Sequence, residues 1–291
     1  MPAPAPAILV RELRKSYGEH EAVRGIDFEV QAGEVFGLLG PNGAGKTTTV
    51  EILEGYRARS AGIVSVLGFD PQQRPRALRE RVGIVLQSSG IYRHVRVREA
   101  LVHWAGMYPA PRDPDEVLDL VGLREKAGAT TRTLSGGQMR RLDLGLALVG
   151  NPELIFLDEP TTGFDPAARR AAWDTIARLQ GLGKTVLITT HYLEEAQALC
   201  DRVAIIKDGR IVAEGPPAAL GDASARYRVS WVDEAGTQQV REERDPTALL
   251  HQLTSAALAR GEPVRDLSVT RPTLEEVYLE LTGREAEKQR G

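Results

Sequence analysis

The sequence predicts an α/β fold with a helical insertion in its core and a small α+β domain at its C-terminal end. Three observations lead there. Short apolar runs alternate with helical patterns along most of the chain. One of those runs, Val35-Phe36-Gly37-Leu38-Leu39, feeds directly into the glycine-rich Gly40-Pro41-Asn42-Gly43-Ala44-Gly45-Lys46-Thr47 and then a helix. A Gly215-Pro216-Pro217 break then separates this pattern from a short tail with its own strands and helices.

Taken in order, residues 1–7 are Ala/Pro-rich and read as a flexible arm. Residues 8–13 and 25–30 read as strands, the second alternating Ile26, Phe28 and Val30 with polar residues. Residues 35–39 are continuously apolar, as a strand buried on both faces should be. A helix is expected over 47–56, a short strand over 82–86, and a helix over 98–107. Asp113-Pro114-Asp115-Glu116 supplies a cap, a first-position proline and first-turn acids for the next helix. Leu134-Ser135-Gly136-Gly137-Gln138 opens a helix that runs to about residue 149. Residues 91–149 thus form the helical insertion. The core resumes with a strand at 154–157, a helix at 166–180, a strand at 185–189 and a helix at 193–199. Strands at 203–207 and 210–213 follow, joined by the hairpin signal Asp208-Gly209. The main domain spans 8–215. In the tail, 216–291, strands are expected at 226–232 and 264–269 and helices at 246–259 and 273–281, with a turn at Gly236.

Bulk properties narrow the possibilities. The chain has 291 residues, 42% of them hydrophobic and 26% charged, as in an ordinary globular protein. A net charge of −3 provides no basic field for nucleic acid or anionic lipid. The apolar runs at 144–149 and 154–157 fall well short of the ~18 residues that span a bilayer. The N-terminal stretch lacks a positive region and does not read as a secretory signal. Cys200 is the only cysteine, which excludes an internal disulfide and suits a buried small side chain. These features point to the cytoplasm.

The glycine-rich loop lets backbone N–H groups face phosphates without Cβ clashes. Lys46 would neutralise the β- and γ-phosphates, the Thr47 hydroxyl would hold Mg²⁺, and Thr48 continues the loop into its helix. Asp158 and Glu159 end the 154–157 strand. Acids there are either merely solvated, or one reaches the magnesium shell (Asp158) while the other orients the attacking water (Glu159). Ser135, Gly136, Gly137 and Gln138 begin a helix and make a second anion site. The simplest use for a spare anion site is to close over nucleotide held by another copy.

This ordered set resembles the nucleotide-binding subunit of an ABC transporter, over residues 8–215. The resemblance implies a P-loop ABC ATPase fold, with a mixed sheet core and a helical subdomain, binding ATP and Mg²⁺. It matches Lys46 and Thr47 to Walker A, Asp158 and Glu159 to Walker B and the catalytic base, and Ser135 and Gly137 to the signature that grips the opposite cassette's ATP. It further matches Gln87 to the Q-loop residue that contacts magnesium and the lytic water, His191 to the switch histidine, Asp165 to the D-loop acid and Tyr17 to the aromatic that stacks on adenine. Phe164 departs from the family's usual leucine beside that acid. The implied partners are a second cassette, forming a dimer around two ATP, and a separate transmembrane permease. The implied location is the cytoplasmic face of the cell membrane.

Residues 271–283, Arg271 to Gly283, resemble the closing helix of drug-resistance-type exporter ATPases and of related lipid or polysaccharide exporters. Residues 138–143 resemble that group's signature helix. Leu274, Val277, Tyr278 and Leu281 also fit an amphipathic helix that simply seals a small domain. Export of a drug, lipid or glycan is the reading. An importer ATPase, or a soluble translation or repair ATPase, is the alternative. Against the soluble class stand a single cassette, no room for a long coil between the Walker motifs, and the negative net charge. Arg74, Arg76, Arg79, Arg81, Arg93, Arg96 and Arg98 form either a solvated face or, at the last three, a border to a permease-docking groove.

Overall fold

The computed structural model describes residues 5–85, 94–223, 227–233 and 235–270, with Glu275 and Tyr278. The chain divides into two compact units, Met1–Glu214 and Gly215–Gly291.

The first unit opens with a hairpin of β1 (Ile8–Tyr17) and β2 (His20–Val30). Both strands run further than the 8–13 and 25–30 expected from apolar alternation. Apart from the buried Val23 the extra residues are mostly polar and at least partly exposed, and cross-strand pairing such as Arg14↔Arg24 and Lys15↔Val23 defines them. An Arg14–Glu21 ion pair at 3.1 Å accompanies it. The expected flexible arm ends before Ala7, which is buried and accepts a hydrogen bond from Leu67 N. An unforeseen strand, β4 (Ala61–Val66), pairs with the other edge of β1 and completes an antiparallel sheet ordered β2-β1-β4. Only Val64 and Val66 of β4 are buried, too few for a visible alternation.

The second sheet positions the chemistry. Its strands are β3 (Val35–Leu39), β5 (Val82–Val85), β6 (Leu154–Asp158), β7 (Thr185–Thr190), β8 (Arg202–Lys207) and β9 (Arg210–Gly215), in the order β5-β6-β7-β3-β8-β9. The pairs β5–β6, β6–β7, β7–β3 and β3–β8 are all parallel, so these strands end at one edge. Asp208 and Gly209, both at positive φ, turn β8 into β9 as the sequence signalled. Residues of both sheets share one core, in which Phe28 and Phe36 stack with ring centroids 5.4 Å apart.

Helix α1 (Lys46–Leu53) follows β3 and stops short of residue 56, where Gly55 takes φ 78°. After α2 (Arg76–Arg79) and β5 come α3 (Val97–Ala105), α4 (Pro114–Leu120) and α5 (Gly136–Val149). These three pack on one another, and α5 also lies against β5. Asp113 caps α4 as expected, its Oδ1 accepting from Asp115 N at 2.7 Å. The expected start of the insertion, 91–93, lies outside the described residues. Helices α6 (Pro166–Gly181) and α7 (Leu193–Leu199) flank β7 in sequence.

The second unit holds α8 (Pro217–Ala223), α9 (Thr247–Arg260) and an antiparallel sheet of β10 (Tyr227–Val232), β11 (Gln238–Glu243) and β12 (Arg265–Thr270), ordered β11-β10-β12. Most of the expected 273–281 helix lies outside the described residues, although Glu275 and Tyr278 are helical. Among the described residues no helix is long and apolar enough to cross a membrane.

Candidate nucleotide-binding site

Because β3, β7 and β6 are adjacent and parallel, whatever follows each of them meets at one edge. The register pairs Leu39 with Thr190 and Asp158 with Thr189, so the 40–47 loop, Glu159 and His191 converge across about 150 residues of sequence.

The loop is held from outside. Gly209 N donates to Ala44 O at 3.0 Å, fastening it to the β8–β9 turn. A Cβ on Gly40 would lie 2.3 Å from Ile206 O, so no other residue fits there without backbone movement. Lys46 is buried; its Nζ donates to Gly40 O at 2.8 Å and Pro41 O at 3.1 Å. It also lies 3.6 Å from Glu159 Oε1. Burial pulls the Lys46 ammonium below its usual range, with Glu159 and Asp158 pulling the other way. Thr47 is exposed at the mouth of the loop and Thr48 half-buried beside it. Asn42 and Gly43 are exposed as well.

Asp158 sits half-buried at the end of β6, and its Oδ1 accepts from Thr189 Oγ1. Burial raises its carboxyl above the ordinary range; the Thr189 hydrogen bond opposes this, and Glu159 reinforces it. Glu159 occupies the left-handed region at φ 45°, a conformation that costs a non-glycine residue roughly 1–3 kcal/mol. Its N–H is fixed by Thr189 O at 3.1 Å and Thr189 Oγ1 at 3.0 Å. Its Oε2 accepts from Thr162 Oγ1 at 3.3 Å. His191 Nδ1 comes within 3.2 Å of Glu159 Oε1 but is misaligned, leaving this buried nitrogen without a hydrogen bond.

The second glycine-rich segment is built locally. Ser135 caps α5: its Oγ accepts from Gln138 N at 3.3 Å, and Gln138 Oε1 accepts from Ser135 N at 3.0 Å. Ser135 and Gly136 are exposed. A cleft of ≈ 730 Å³ is lined by Ser135, Gly137, Glu159, Thr162 and Asp165, among others. Asp165 caps α6, its Oδ1 accepting from Ala167 N and Ala168 N at 2.9 Å each. Phe164, the departure noted in the sequence, lines a small apolar hollow with Leu144, Leu157 and Ile176.

Two expected residues stand apart. Tyr17 ends β1, 41% exposed, with Lys15 Nζ 5.0 Å and Arg57 Cζ 5.3 Å from its ring centroid. Gln87 lies outside the described residues, as does Arg93. Of the other arginines, Arg81 pairs with Glu153 and Arg98 with Asp115, each at about the 2.7 Å of a good charge-assisted bond.

Several contributors were not anticipated. Thr189 fixes both Asp158 and the Glu159 backbone. Its signal was the hydroxyl pair Thr189-Thr190 after the apolar Val186-Leu187-Ile188. Glu195 is fully buried, and its Oε1 accepts from Thr161 Oγ1 at 2.8 Å and Trp173 Nε1 at 3.1 Å. That triad ties α6 and α7 to the segment after β6. Arg140 Nη2 donates to Asp158 O and its Nε to Pro160 O. No sequence pattern signals either contact.

Known proteins give the same answer. A family model described as ABC transporter matches residues 23–162. The Nod factor export ATP-binding protein I of Burkholderia lata is 40% identical over 300 residues, covering 97% of this chain and 99% of its own. The linearmycin resistance ATP-binding protein of Bacillus subtilis is 36% identical over 301 residues, covering 94% and 97%. A solved structure from Clostridium perfringens, part of an ABC transporter complex, superposes with TM-score 0.68 at 29% identity over 76% of this chain and 92% of its own. The chain therefore belongs to the ABC transporter family, as one of its ATP-binding, ATP-hydrolysing subunits.

Proposed function

We propose that this subunit works as one of a pair of cassettes that close around two ATP molecules and drive export through a separate transmembrane permease. The observation that carries this reading is the convergence of Lys46 and His191 on Glu159, at 3.6 and 3.2 Å, beside a cleft that Glu159 shares with the open end of α5. On this reading the 40–46 backbone cradles the phosphates and Lys46 exchanges its two carbonyl partners for phosphate oxygens. Glu159 takes a proton from, or orients, the attacking water, a role worth about 10²–10⁴-fold in rate. The unsatisfied Nδ1 of His191 gives that ring a polar atom to bring to the γ-phosphate or the water. Ser135, Gly136, Gly137 and Gln138 contact the γ-phosphate of ATP held by the other cassette, with Asp165 at the same interface, and Tyr17 stacks on adenine.

The donor set suits Mg²⁺. Among the described residues no group of three or more acids, histidines or cysteines could hold a metal alone. What is available is one carboxylate, Asp158, and one hydroxyl, Thr47, with Gln87 a further candidate. Magnesium characteristically binds through one or two carboxylates and completes its shell with water and substrate phosphates. The upward push on Asp158 from burial and from Glu159 is the situation a cation relieves. When bound, Mg²⁺ would supply charge neutralisation on the β- and γ-phosphates.

The outward direction is supported by the two relatives, whose names specify Nod factor export and linearmycin resistance. It fits a drug, lipid or glycan as cargo, chosen by the permease, and a location on the cytoplasmic face of the cell membrane. The second unit, 215–291, would be an accessory domain of the cassette. The test uses tagged Glu159→Gln, which should hold ATP without turnover, purified with ATP and Mg²⁺ from solubilised membranes of its host. A stoichiometric polytopic membrane protein is expected. Ribosomes, nucleic acid or only soluble partners would overturn the permease reading and leave the ATPase standing.

A further inference from the structure

Glu159 is a side chain in a demanding position. It carries φ 45°, it lies near both Lys46 and His191, and its neighbours on either side are Asp158 and Pro160. The backbone carbonyls of those two neighbours point the same way, toward one side chain. Arg140 Nη2 donates to Asp158 O at 3.2 Å and Arg140 Nε donates to Pro160 O at 3.3 Å. A single planar guanidinium therefore brackets Glu159 from both sides. Arg140 itself lies on the second turn of α5, five residues after Ser135 and three after Gly137.

We propose that Arg140 is a positioning residue for Glu159, and that it links the open end of α5 to the carboxylate across the cleft. This rests on the reading of Glu159 as the group that activates water. The guanidinium fork suits the task because two donors in a rigid plane fix both the distance and the rotation of the segment they hold. A lysine in the same place offers a compact ammonium with no planar fork, so it can bond a carbonyl but not set the angle of the segment. The strained φ of Glu159 makes external restraint useful: released, the residue has a lower-energy region to relax into. Thr189 restrains the same segment through the Glu159 N–H, from the side of β7. Arg140 restrains it from α5. Any shift of α5 when its open end meets an anion is thus carried to Glu159 through these two bonds.

The test is a double-mutant cycle on the full chain, with its permease where hydrolysis requires it. Steady-state kcat and KM for ATP, and single-turnover hydrolysis, are measured for wild type, Arg140→Met, Arg140→Lys, Glu159→Gln and Arg140→Met/Glu159→Gln. Arg140→Met is expected to lower kcat by about tenfold or more while KM stays within about twofold, because misplacing a catalytic group by 1 Å can cost ~100-fold. Arg140→Lys is expected to recover part of the loss. In the Glu159→Gln background, Arg140→Met is expected to add little, since the group it positions is already gone. Multiplicative effects in the cycle, or an unchanged kcat in Arg140→Met, would overturn the proposal. If Glu159→Gln itself kept wild-type kcat, the water-activating reading of Glu159 would be the part that failed. Should Arg140→Met not fold, Arg140→Gln gives the same cycle with a shorter, neutral polar side chain.

Discussion

The two glycine-rich segments that open α1 and α5 sit in opposite surroundings. The first is anchored at its lysine, although Asn42, Gly43 and Thr47 are exposed: Lys46 is 4% exposed, bonded to two carbonyls and close to Glu159. Its shape depends on partners far away in sequence, including Ile206 against Gly40 and Gly209 on Ala44. The second is open. Ser135 and Gly136 are exposed, nothing lies within 4 Å of where a Gly136 Cβ would be, and the capping bonds are between residues three apart. One segment is completed by its own chain's tertiary structure. The other is finished locally and still presents free anion-binding capacity, which is the physical basis for proposing that it completes a site on a second chain.

The largest effect expected from breaking this contrast is at the anchored end. Lys46→Met should lower kcat by about 10²–10³-fold and weaken ATP binding by roughly 10- to 100-fold. Its Tm should change little, because relieving the burial of the ammonium is offset by leaving Glu159 and the Gly40 and Pro41 carbonyls without that partner. Isothermal titration with a non-hydrolysable ATP analogue, beside a melt, checks both halves.

At the open end Gly137→Asp sharpens the contrast. The new Cβ would meet only Ala168 Cβ at 3.7 Å, an ordinary contact, and an acid in the first turn of a helix is favourable by about 0.3–1 kcal/mol. The fold and ATP binding by the chain's own loop should survive. Hydrolysis should fall by about 100-fold, since the carboxylate repels the phosphate that this helix end attracts. Loss of ATP binding in the isolated chain would instead place both segments in one intramolecular site.

The smallest effect concerns the far end of α1. Burial, reinforced by Asp158 and Glu51, pushes the Glu54 carboxyl up to about 8 from its usual 4.5, and its Oε1 has no partner. A carboxyl raised on folding favours the folded state most below its unfolded value, and that contribution is lost as pH rises toward about 8. Glu54→Gln should therefore be neutral near pH 4 and stabilising at pH 9, by roughly 1–2 kcal/mol once partial exposure is discounted. Chemical denaturation at the two pH values checks it; equal effects at both would remove the buried-carboxylate account.

How much of this was legible follows the same division. Local features read directly. Asp113 and Pro114 cap and start α4, 193–199 is a helix with the expected ends, and Ser135 with Gln138 opens α5. The strand–loop–helix at 35–53 and the acids ending β6 were equally plain, because chemistry dictates residue type there. What escaped depends on long-range pairing. The outer halves of β1 and β2 pair through mostly polar residues and β4 buries only Val64 and Val66, so apolar periodicity could not mark them. Thr189 and Arg140 act through contacts 30 and 18 residues away in sequence, which only the fold creates. The proximity of His191 to Glu159 likewise needed the β7–β6 register.

The most direct test of the two-chain claim mixes the two dead ends. Lys46→Met and Gly137→Asp chains are each expected to be nearly inactive as homodimers. Mixed in equal amounts, in the same permease-reconstituted form, half the dimers would carry both variants. Each of these would hold one site with an intact Lys46 from one chain and an intact Gly137 from the other. ATPase activity should then rise to about a quarter of wild type, given a two-fold symmetric pair and independent sites. Activity that stays at the sum of the two separate variants would contradict the account, because a site formed within one chain cannot be rescued by another.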